Sequence, residues 1–477
     1  MKRGAAMLLA RWVALGALAT GPACAPRARE PGPPVRRHVP LGLCEDYPEE
    51  SRSLEGARED FELLRRLGIS TLRVSLGWDA IEPERDRYDF EFWDAFVDLA
   101  VREYHLTLIP YVAYTPAWNS DGGAADYWKT PPREPAEFAQ LMGLLARRYA
   151  GRIHSWELWN EPDNRDYWLG SAADYATLAR AGAQAIAAVD PHVDVVSGGL
   201  AGHTEFLAEL FDAWGGASIF DVVNLHAYFE TWNPEPLESL SGYVAEAAAI
   251  VERHGGRQAI WMAEIGYGTY RNGRQVSAQT SAVFAYEHTL DYQAVVLARS
   301  LALLLASPVS LVAWYELADP PATDAVIGDV NNRHLGVAFA GRRPKPAAAA
   351  LAFFARSFAG GFSPAPAGLR LQPLNLPSEL EARAFLTAAD TLVVVAWLRT
   401  PVPQPQPQSG LGDAADRRHE TLRVSGPYRA RRAPTLYDAL GRAMARTSHQ
   451  AAGAALELEL ELNGGEVLIA EVELSPD

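Results

Sequence analysis

The chain has 477 residues, of which 48% are hydrophobic and 21% charged, and it carries a formal net charge of −16. That length admits one large domain plus a smaller one. The charge excludes an ordinary nucleic-acid partner, since phosphate binding needs clustered Lys and Arg, and it suits a neutral substrate better than a strongly acidic one.

The N-terminus reads as an export signal over residues 1–24. Lys2, Arg3 and Arg11 supply positive charge, Trp12–Ala19 is an apolar run too short to span a bilayer, and Thr-Gly-Pro-Ala-Cys follows. The expectation is an exported protein: periplasmic, extracellular or an outer-membrane lipoprotein. Cys24 stands where a bacterial lipoprotein carries its lipid, although Gly21 and Pro22 depart from that pattern, so a lipid anchor stays open. The only other cysteine is Cys44, so neither a disulfide-stapled scaffold nor a cysteine metal site is expected. Residues 25–38, rich in Pro and Arg, read as a disordered tether.

From residue 39 short apolar runs alternate with amphipathic stretches of helical length. The strand-like runs are Val39–Cys44, Thr71–Leu76, Thr107–Ala113, Ser155–Trp159, Val193–Ser197, Val222–His226, Ala259–Ala263 and Ser310–Tyr315. Helical spacing marks Leu54–Leu67, Phe92–Glu103, Ala136–Tyr149, Ser171–Val189, Gly242–His254 and Gln293–Leu305. Eight strands with intervening helices predict an α/β fold, a (β/α)8 TIM barrel over residues 39–356. An open doubly wound sheet is the structural alternative, but no Gly-rich nucleotide fingerprint follows the first strand.

Beyond Arg356 the helices cease. Ala382–Leu386, Leu392–Trp397, Thr421–Val424, Thr435–Tyr437, Leu456–Leu462 and Glu466–Val472 predict an antiparallel β-sandwich domain over residues 357–477. Asn463-Gly464-Gly465 reads as a hairpin turn, and Pro401–Asp416 as a mobile loop. An exposed Trp397 would make this domain a carbohydrate-binding module; a buried one would make it a support for the barrel.

In a barrel of this kind the active groups come from the C-terminal ends of the strands. Strand four ends in Asn160-Glu161-Pro162, and strand seven ends at Glu264 just before Gly266. Two carboxyl groups facing each other across a barrel mouth are what glycoside hydrolysis needs: one protonates the leaving oxygen, the other attacks the anomeric carbon. Arg73 on strand two is a fixed cation for such a pair, with a structural ion-pair partner as its other reading. His226 reads as either a subsite residue or a satisfied core histidine. Glu157, four residues before Glu161, reads as a buried, paired group in the barrel wall, and Glu316 and Asp319 as a solvated loop, with sugar contact as their other reading. Aromatic residues crowd the predicted mouth: Trp78, Trp118, Tyr127, Trp128, Trp159, Tyr167, Trp168, Trp232, Tyr267 and Tyr315, with Trp314 at the end of strand eight as a floor for a sugar. Sugar faces stack on such rings, although any single one fits core packing equally. No cofactor and no metal is expected, for His226 has no metal-ligand spacing with another histidine.

With Arg73, the Tyr-Val-Ala-Tyr-Thr-Pro-Ala-Trp stretch ending at Trp118, Asn160-Glu161-Pro162, the Asn224–Tyr228 stretch and Glu264-Ile265-Gly266 in one chain, the sequence resembles the clan A glycoside hydrolases. Leu72–Ala100 most resembles family 39 and its relatives. The resemblance covers most of residues 39–356. It implies a retaining enzyme acting on β-glycosidic bonds of an oligo- or polysaccharide, with Glu161 as general acid/base and Glu264 as nucleophile. Arg73, Trp78, Trp118, Asn160, His226, Tyr228, Tyr267 and Trp314 are the expected substrate-side residues. An exo-acting, β-xylosidase-like enzyme and a non-catalytic carbohydrate-binding surface protein stay open beside it.

Overall fold

A computed structural model describes residues 36–46, 53–215, 219–269, 288–321, 330–399, 418–445 and 455–475. The export signal, Cys24, the tether up to Val35 and the Pro401–Asp416 loop lie outside these residues. Arg37, within the expected tether, is already part of the fold. Its backbone bridges Phe362, and its guanidinium donates to the Ser307 and Val309 carbonyls.

Eight parallel strands close a barrel in chain order: β1 (Leu41–Glu45), β2 (Thr71–Gly77), β3 (Thr107–Ala113), β4 (Ser155–Leu158), β5 (Asp194–Ser197), β6 (Val222–Ala227), β7 (Ala259–Ile265) and β8 (Val309–Trp314). The last strand pairs with the first, Leu43 opposite Trp314. Around them lie α1 (Leu54–Leu67), α2 (Trp78–Ile81), α3 (Glu91–Asp98), α4 (Pro135–Arg148), α5 (Ala172–Ala187), α6 (Thr204–Trp214), α7 (Ser239–Arg253), α8 (Leu290–Ala306) and α9 (Pro346–Phe358). Their ends follow local chemistry. Ser53 caps α1 by accepting from Gly56 N–H, and Gly68 ends it with a left-handed φ of 74°. Ser171 and Asp174 form a capping box at the start of α5.

Side-chain alternation along each strand sets what faces the barrel axis. Cys44, Ile109, Ala263, Leu311 and Ala313 share an inner cluster with Trp261 and Tyr315. Leu43, Leu72, Leu108, Trp156, Val223, Met262, Val312 and Trp314 belong to the outer cluster beneath the helices. This parity overturns the expectation for Trp314. The ring lies on the helix side of β8, nearly fully buried, and cannot floor a sugar site. Its neighbour Tyr315 takes the inward position.

The tail forms two antiparallel sheets. One is five-stranded, ordered β14 (Thr435–Tyr437), β16 (Val467–Glu473), β12 (Thr391–Leu398), β11 (Leu380–Thr387) and β9 (Phe362–Pro364); the other is β10 (Arg370–Pro373), β13 (His419–Arg429) and β15 (Ala455–Asn463). The central strand β12 is apolar on both faces. Val393, Val395 and Trp397 join the barrel-side core, whereas Leu392, Val394, Ala396 and Leu398 pack into the sandwich core. Trp397 is therefore buried, and its indole N–H donates to Glu238 at the head of α7.

The Asn463-Gly464-Gly465 turn does not make a hairpin. β15 and β16 lie in different sheets, and the turn carries the chain from one to the other. The strands explain this. β15 has one apolar face, Leu456, Leu458, Leu460 and Leu462, with glutamates between, which suits an outer sheet. β16 buries Val467 and Ile469 toward the barrel and Leu468, Ala470 and Val472 toward the sandwich core, which suits only an inner one.

Candidate active site

Strand ends bring the expected polar residues to the C-terminal mouth of the barrel. β4 stops at Leu158, after which Trp159 and Glu161 adopt φ of 85° and 44°. Left-handed backbone at non-glycine residues costs about 1–3 kcal/mol each and persists where surrounding structure enforces it. Here it breaks the strand alternation. Glu157, Asn160 and Glu161 face the axis, while Trp159 packs outward on Phe138 and Trp168.

Arg73, on β2, is fully buried and organises the floor. Nε and Nη2 donate to the two oxygens of Glu157 at 2.8 and 2.9 Å, Nη1 donates to Glu264 Oε2 at 2.8 Å, and Nη2 also donates to Asn160 Oδ1 at 2.8 Å. Burial opposes its charge, but the two glutamates outweigh that and push its pKa up. Glu157 further accepts from the Gly199 N–H and the Asn224 amide, each at 3.0 Å. It is the paired wall residue the sequence suggested, and both readings of Arg73, ion-pair partner and carboxylate holder, apply at once.

Glu161 and Glu264 come together. One ligating atom each from Glu161, His226 and Glu264 all lie within 4.8 Å of one another. His226 Nδ1 sits between the carboxylates, 2.9 Å from Glu161 Oε1 and 3.4 Å from Glu264 Oε2. Burial lowers the His226 pKa, favouring the neutral ring. Its tautomer follows from Asn224. Ala263 N–H donates to Asn224 Oδ1 at 3.0 Å, so the Asn224 NH2 faces Glu157 and, at 3.5 Å, His226 Nε2. Nε2 is thus the acceptor, and Nδ1 carries the proton toward the carboxylates. The ring fits only because position 199 is glycine: a Cβ there would lie 1.8 Å from His226 Nε2.

The two glutamates have different surroundings. Glu264 is gripped on both oxygens, by Arg73 on Oε2 and by the Tyr228 hydroxyl on Oε1. Burial raises its pKa, opposed by His226, Arg73 and the Tyr228 hydrogen bond. Glu161 touches no arginine or lysine among the described residues; its partners are His226 and the Asn164 amide, 2.8 Å from Oε2. Burial lifts its pKa to about 7. A group at that value holds a proton at neutrality and can also give it up.

Other expected substrate residues are elsewhere. Trp78 is wholly buried, bonded through its indole N–H to Glu82 and packed on Phe138. Trp118 donates to the Glu82 carbonyl and carries Arg85 over its ring, so it braces the wall behind the mouth. Tyr267 is buried and stacked on His288 at 4.6 Å. Their residue type suggested sugar contact, but large rings most often serve the core, as here. Glu316 and Asp319 are buried, contrary to the solvated-loop reading, and Asp319 pairs with Lys345 at 2.6 Å. Residues the sequence reading missed are Asn164, Gly199, Asn224 and Asp46 with Tyr111. Of the aromatic residues expected near the mouth, Trp232 packs on Tyr228 at 4.5 Å and Tyr315 donates to Asp46. For Asp46 a signal existed, since it lies immediately beyond the C-terminal end of β1.

The family model "Glycosyl hydrolases family 39" matches residues 38–252, a stretch that includes Glu161 and stops short of Glu264. No curated protein sequence matches the chain. Among solved structures, a family 39 glycoside hydrolase from Bacteroides cellulosilyticus WH2 superposes with a TM-score of 0.64 at 19% identity, covering 91% of this chain and 81% of its own. A monomeric beta-xylosidase from Caulobacter crescentus gives 0.63 at 17% identity, covering 92% and 97% respectively. The family 39 enzyme of Xanthomonas axonopodis pv. citri gives 0.62 at 16% identity, covering 93% and 95%. At such identities the superpositions establish the shared fold, a barrel followed by antiparallel sheets.

Proposed function

We propose that this chain, a glycoside hydrolase of the clan A, family 39 type, cleaves β-glycosidic bonds with retention, using Glu264 as nucleophile and Glu161 as acid/base. The observation that carries this reading is the unequal pair: one oxygen of each carboxyl group within 4.8 Å of the other with the His226 ring between, one gripped by Arg73 and the other by no arginine or lysine among the described residues. Retaining enzymes hold their carboxyl groups about 5–5.5 Å apart, inverting ones about 6.5–9.5 Å to admit a water.

In the first step a Glu264 oxygen bonds to the anomeric carbon as the glycosidic C–O bond breaks, and the Glu161 proton passes to the leaving oxygen. Arg73 and Tyr228 oppose the burial that raises the Glu264 pKa and keep the carboxylate aimed until it attacks. Esterification then removes the negative charge beside Glu161, which lowers its proton affinity and leaves it a carboxylate. In the second step Glu161 takes a proton from water, the water oxygen attacks the anomeric carbon, and Glu264 is released. Asn160 keeps its Oδ1 on Arg73, so its NH2 is the end turned to substrate, suited to the sugar 2-hydroxyl. The neutral His226 donates to the carboxylates without adding a second cation.

The N-terminal pattern supports an exported enzyme acting on oligo- or polysaccharide. The beta-xylosidase neighbour favours placing aryl β-xylosides first in an activity panel, followed by β-glucosides, β-galactosides, β-mannosides and their polymers. The test is that panel with the product anomer followed by NMR from the first turnovers. A β-anomer appearing first agrees with retention; an α-anomer first excludes it. Absence of hydrolysis across the panel would favour a carbohydrate-binding protein.

A further inference from the structure

Just beyond β1, Asp46 stands at the same mouth with no part in the steps above. Its two oxygens each accept one phenolic hydroxyl, Tyr111 on Oδ1 and Tyr315 on Oδ2, both at 2.9 Å. No arginine or lysine among the described residues pairs with it, and the side chain is only half-buried. A carboxylate has about four acceptor directions. The tyrosines use two of them.

Its position relative to the reacting pair is fixed by those same rings. Tyr111 carries the Arg73 guanidinium over its face at 4.3 Å, and Arg73 holds Glu264. Tyr315 lies 6.5 Å from the ring of Tyr228, whose hydroxyl also holds Glu264. A Cβ on Gly266 would meet the Tyr315 carbonyl at 2.4 Å and the Tyr228 ring at 2.9 Å, so glycine at that position lets the two tyrosines close up. Asp46 is thereby attached to the nucleophile's side of the mouth, where the sugar that becomes bonded to Glu264 must lie.

We propose that Asp46 is a specificity-determining residue: it accepts a hydroxyl of the sugar unit transferred to Glu264, and its charge restricts that unit to neutral sugars, against uronic acids. This rests on the hydrolase reading and narrows it. The surrounding charge agrees. The Tyr167 hydroxyl is pushed up first by burial and then by the nearby carboxyl groups of Glu161, Glu264, Asp46 and Asp166. An anionic glycone would enter against that field. The bland alternative is a brace, with Asp46 merely tying the ends of β1, β3 and β8 together. A brace would affect stability and every substrate alike.

The experiment compares wild type with Asp46→Ala and Asp46→Asn on 4-nitrophenyl β-glycosides: the neutral parent sugar, its single-deoxy analogues and the matching uronide. A hydrogen bond from substrate to a charged acceptor is worth about tenfold to a hundredfold in kcat/KM. The expected result is a loss of that size for Asp46→Ala on the parent, an equal loss for wild type on one deoxy analogue, and no further loss when the two are combined. Asp46→Asn should also narrow the preference for the neutral glycoside over the uronide by about tenfold. Thermal melts of the Asp46 variants read the brace separately: a brace lowers Tm and slows every analogue alike. Uniform losses on all analogues, or an unchanged neutral-to-uronide ratio in Asp46→Asn, would overturn the proposal while leaving the hydrolase reading intact. Calorimetric titration of the free parent, deoxy and uronic sugars reads the same coincidence without turnover. Failure of wild type to hydrolyse any glycoside would count against catalysis, and the titration would still decide Asp46.

Discussion

Two buried arginines invite comparison. Arg73 and Arg299 are 1% and 2% exposed, and each joins one glutamate at 0% to a second at 9%: Glu157 and Glu264 for the first, Glu230 and Glu238 for the second. By burial and composition the two clusters are near copies, yet they differ in what the outer glutamate meets. Glu238 meets the Trp397 indole of the C-terminal sheet; burial would raise its pKa, but Arg299 and Trp397 outweigh that and hold it down. Glu264 meets a second carboxyl group, Glu161, which no arginine or lysine among the described residues holds and which burial lifts to about 7. A buried Arg–Glu network alone therefore marks no reaction site. In the function proposed above, the second carboxyl beside it is what gives the Arg73 cluster a chemical use, whereas the Arg299 cluster ties the β6–α7 segment to the tail.

The largest test of that contrast is Glu264→Gln. The account expects kcat/KM on every glycoside to fall by roughly 10⁴-fold or more, because each turnover passes through this oxygen. Steady-state assays on activated and natural substrates check it. The same exchange in the other cluster, Glu238→Gln, should leave kcat within a few-fold of wild type.

Glu161 gives the next effect, and it depends on both substrate and pH. Glu161→Gln should cost about 10²–10⁴-fold on natural glycosides and far less on aryl glycosides with acidic phenols, whose oxygen departs without a proton. A carboxyl group raised to about 7 is protonated below that pH and ionised above it. Wild-type kcat/KM on unactivated substrates should therefore fall as pH rises through about 7, and Glu161→Gln should lack that basic limb. A limb unchanged in the variant would assign it to another group. Added azide should partly restore Glu161→Ala, with a glycosyl azide as product.

The smallest effects belong to the structural cluster. Arg299→Met leaves two buried carboxylates without their cation, at a cost of about 3–5 kcal/mol in stability. Trp397→Phe removes only one hydrogen bond to Glu238, about 1 kcal/mol. Thermal melts should show both losses, with turnover per folded molecule nearly unchanged for Trp397→Phe. A large fall in kcat there, without a fall in Tm, would mean the tail acts on the chemistry directly.

Much of this was legible in the sequence, and the failures have physical causes. The barrel strands showed as apolar runs of strand length because their outer faces pack beneath helices, and Thr107–Ala113 agrees with the structure to the residue. That Glu161 and Glu264 meet at the mouth was legible because strand ends are where a barrel exposes polar groups. Trp314 was misplaced because aromatic character was weighed ahead of parity; one residue along, Tyr315 has the inward side. The turn at Asn463-Gly464-Gly465 was read from local chemistry, whereas sheet membership was decided by how many faces β15 and β16 bury. The split between Arg73 and Arg299 was not legible, since Glu230 and Glu238 carry no strand-end signal and their partner in the tail lies far along the chain.

The central claim, that Glu264 forms a covalent bond to the sugar, is tested most directly by trapping. The protein would be incubated with a 2-deoxy-2-fluoro glycoside bearing an activated leaving group, in the sugar series it hydrolyses, and then digested and mapped by mass spectrometry. The account predicts one sugar per chain, on the peptide containing Glu264, and none in Glu264→Gln. A label on Glu161, or wild-type turnover of the same sugar series with no label at all, would contradict it.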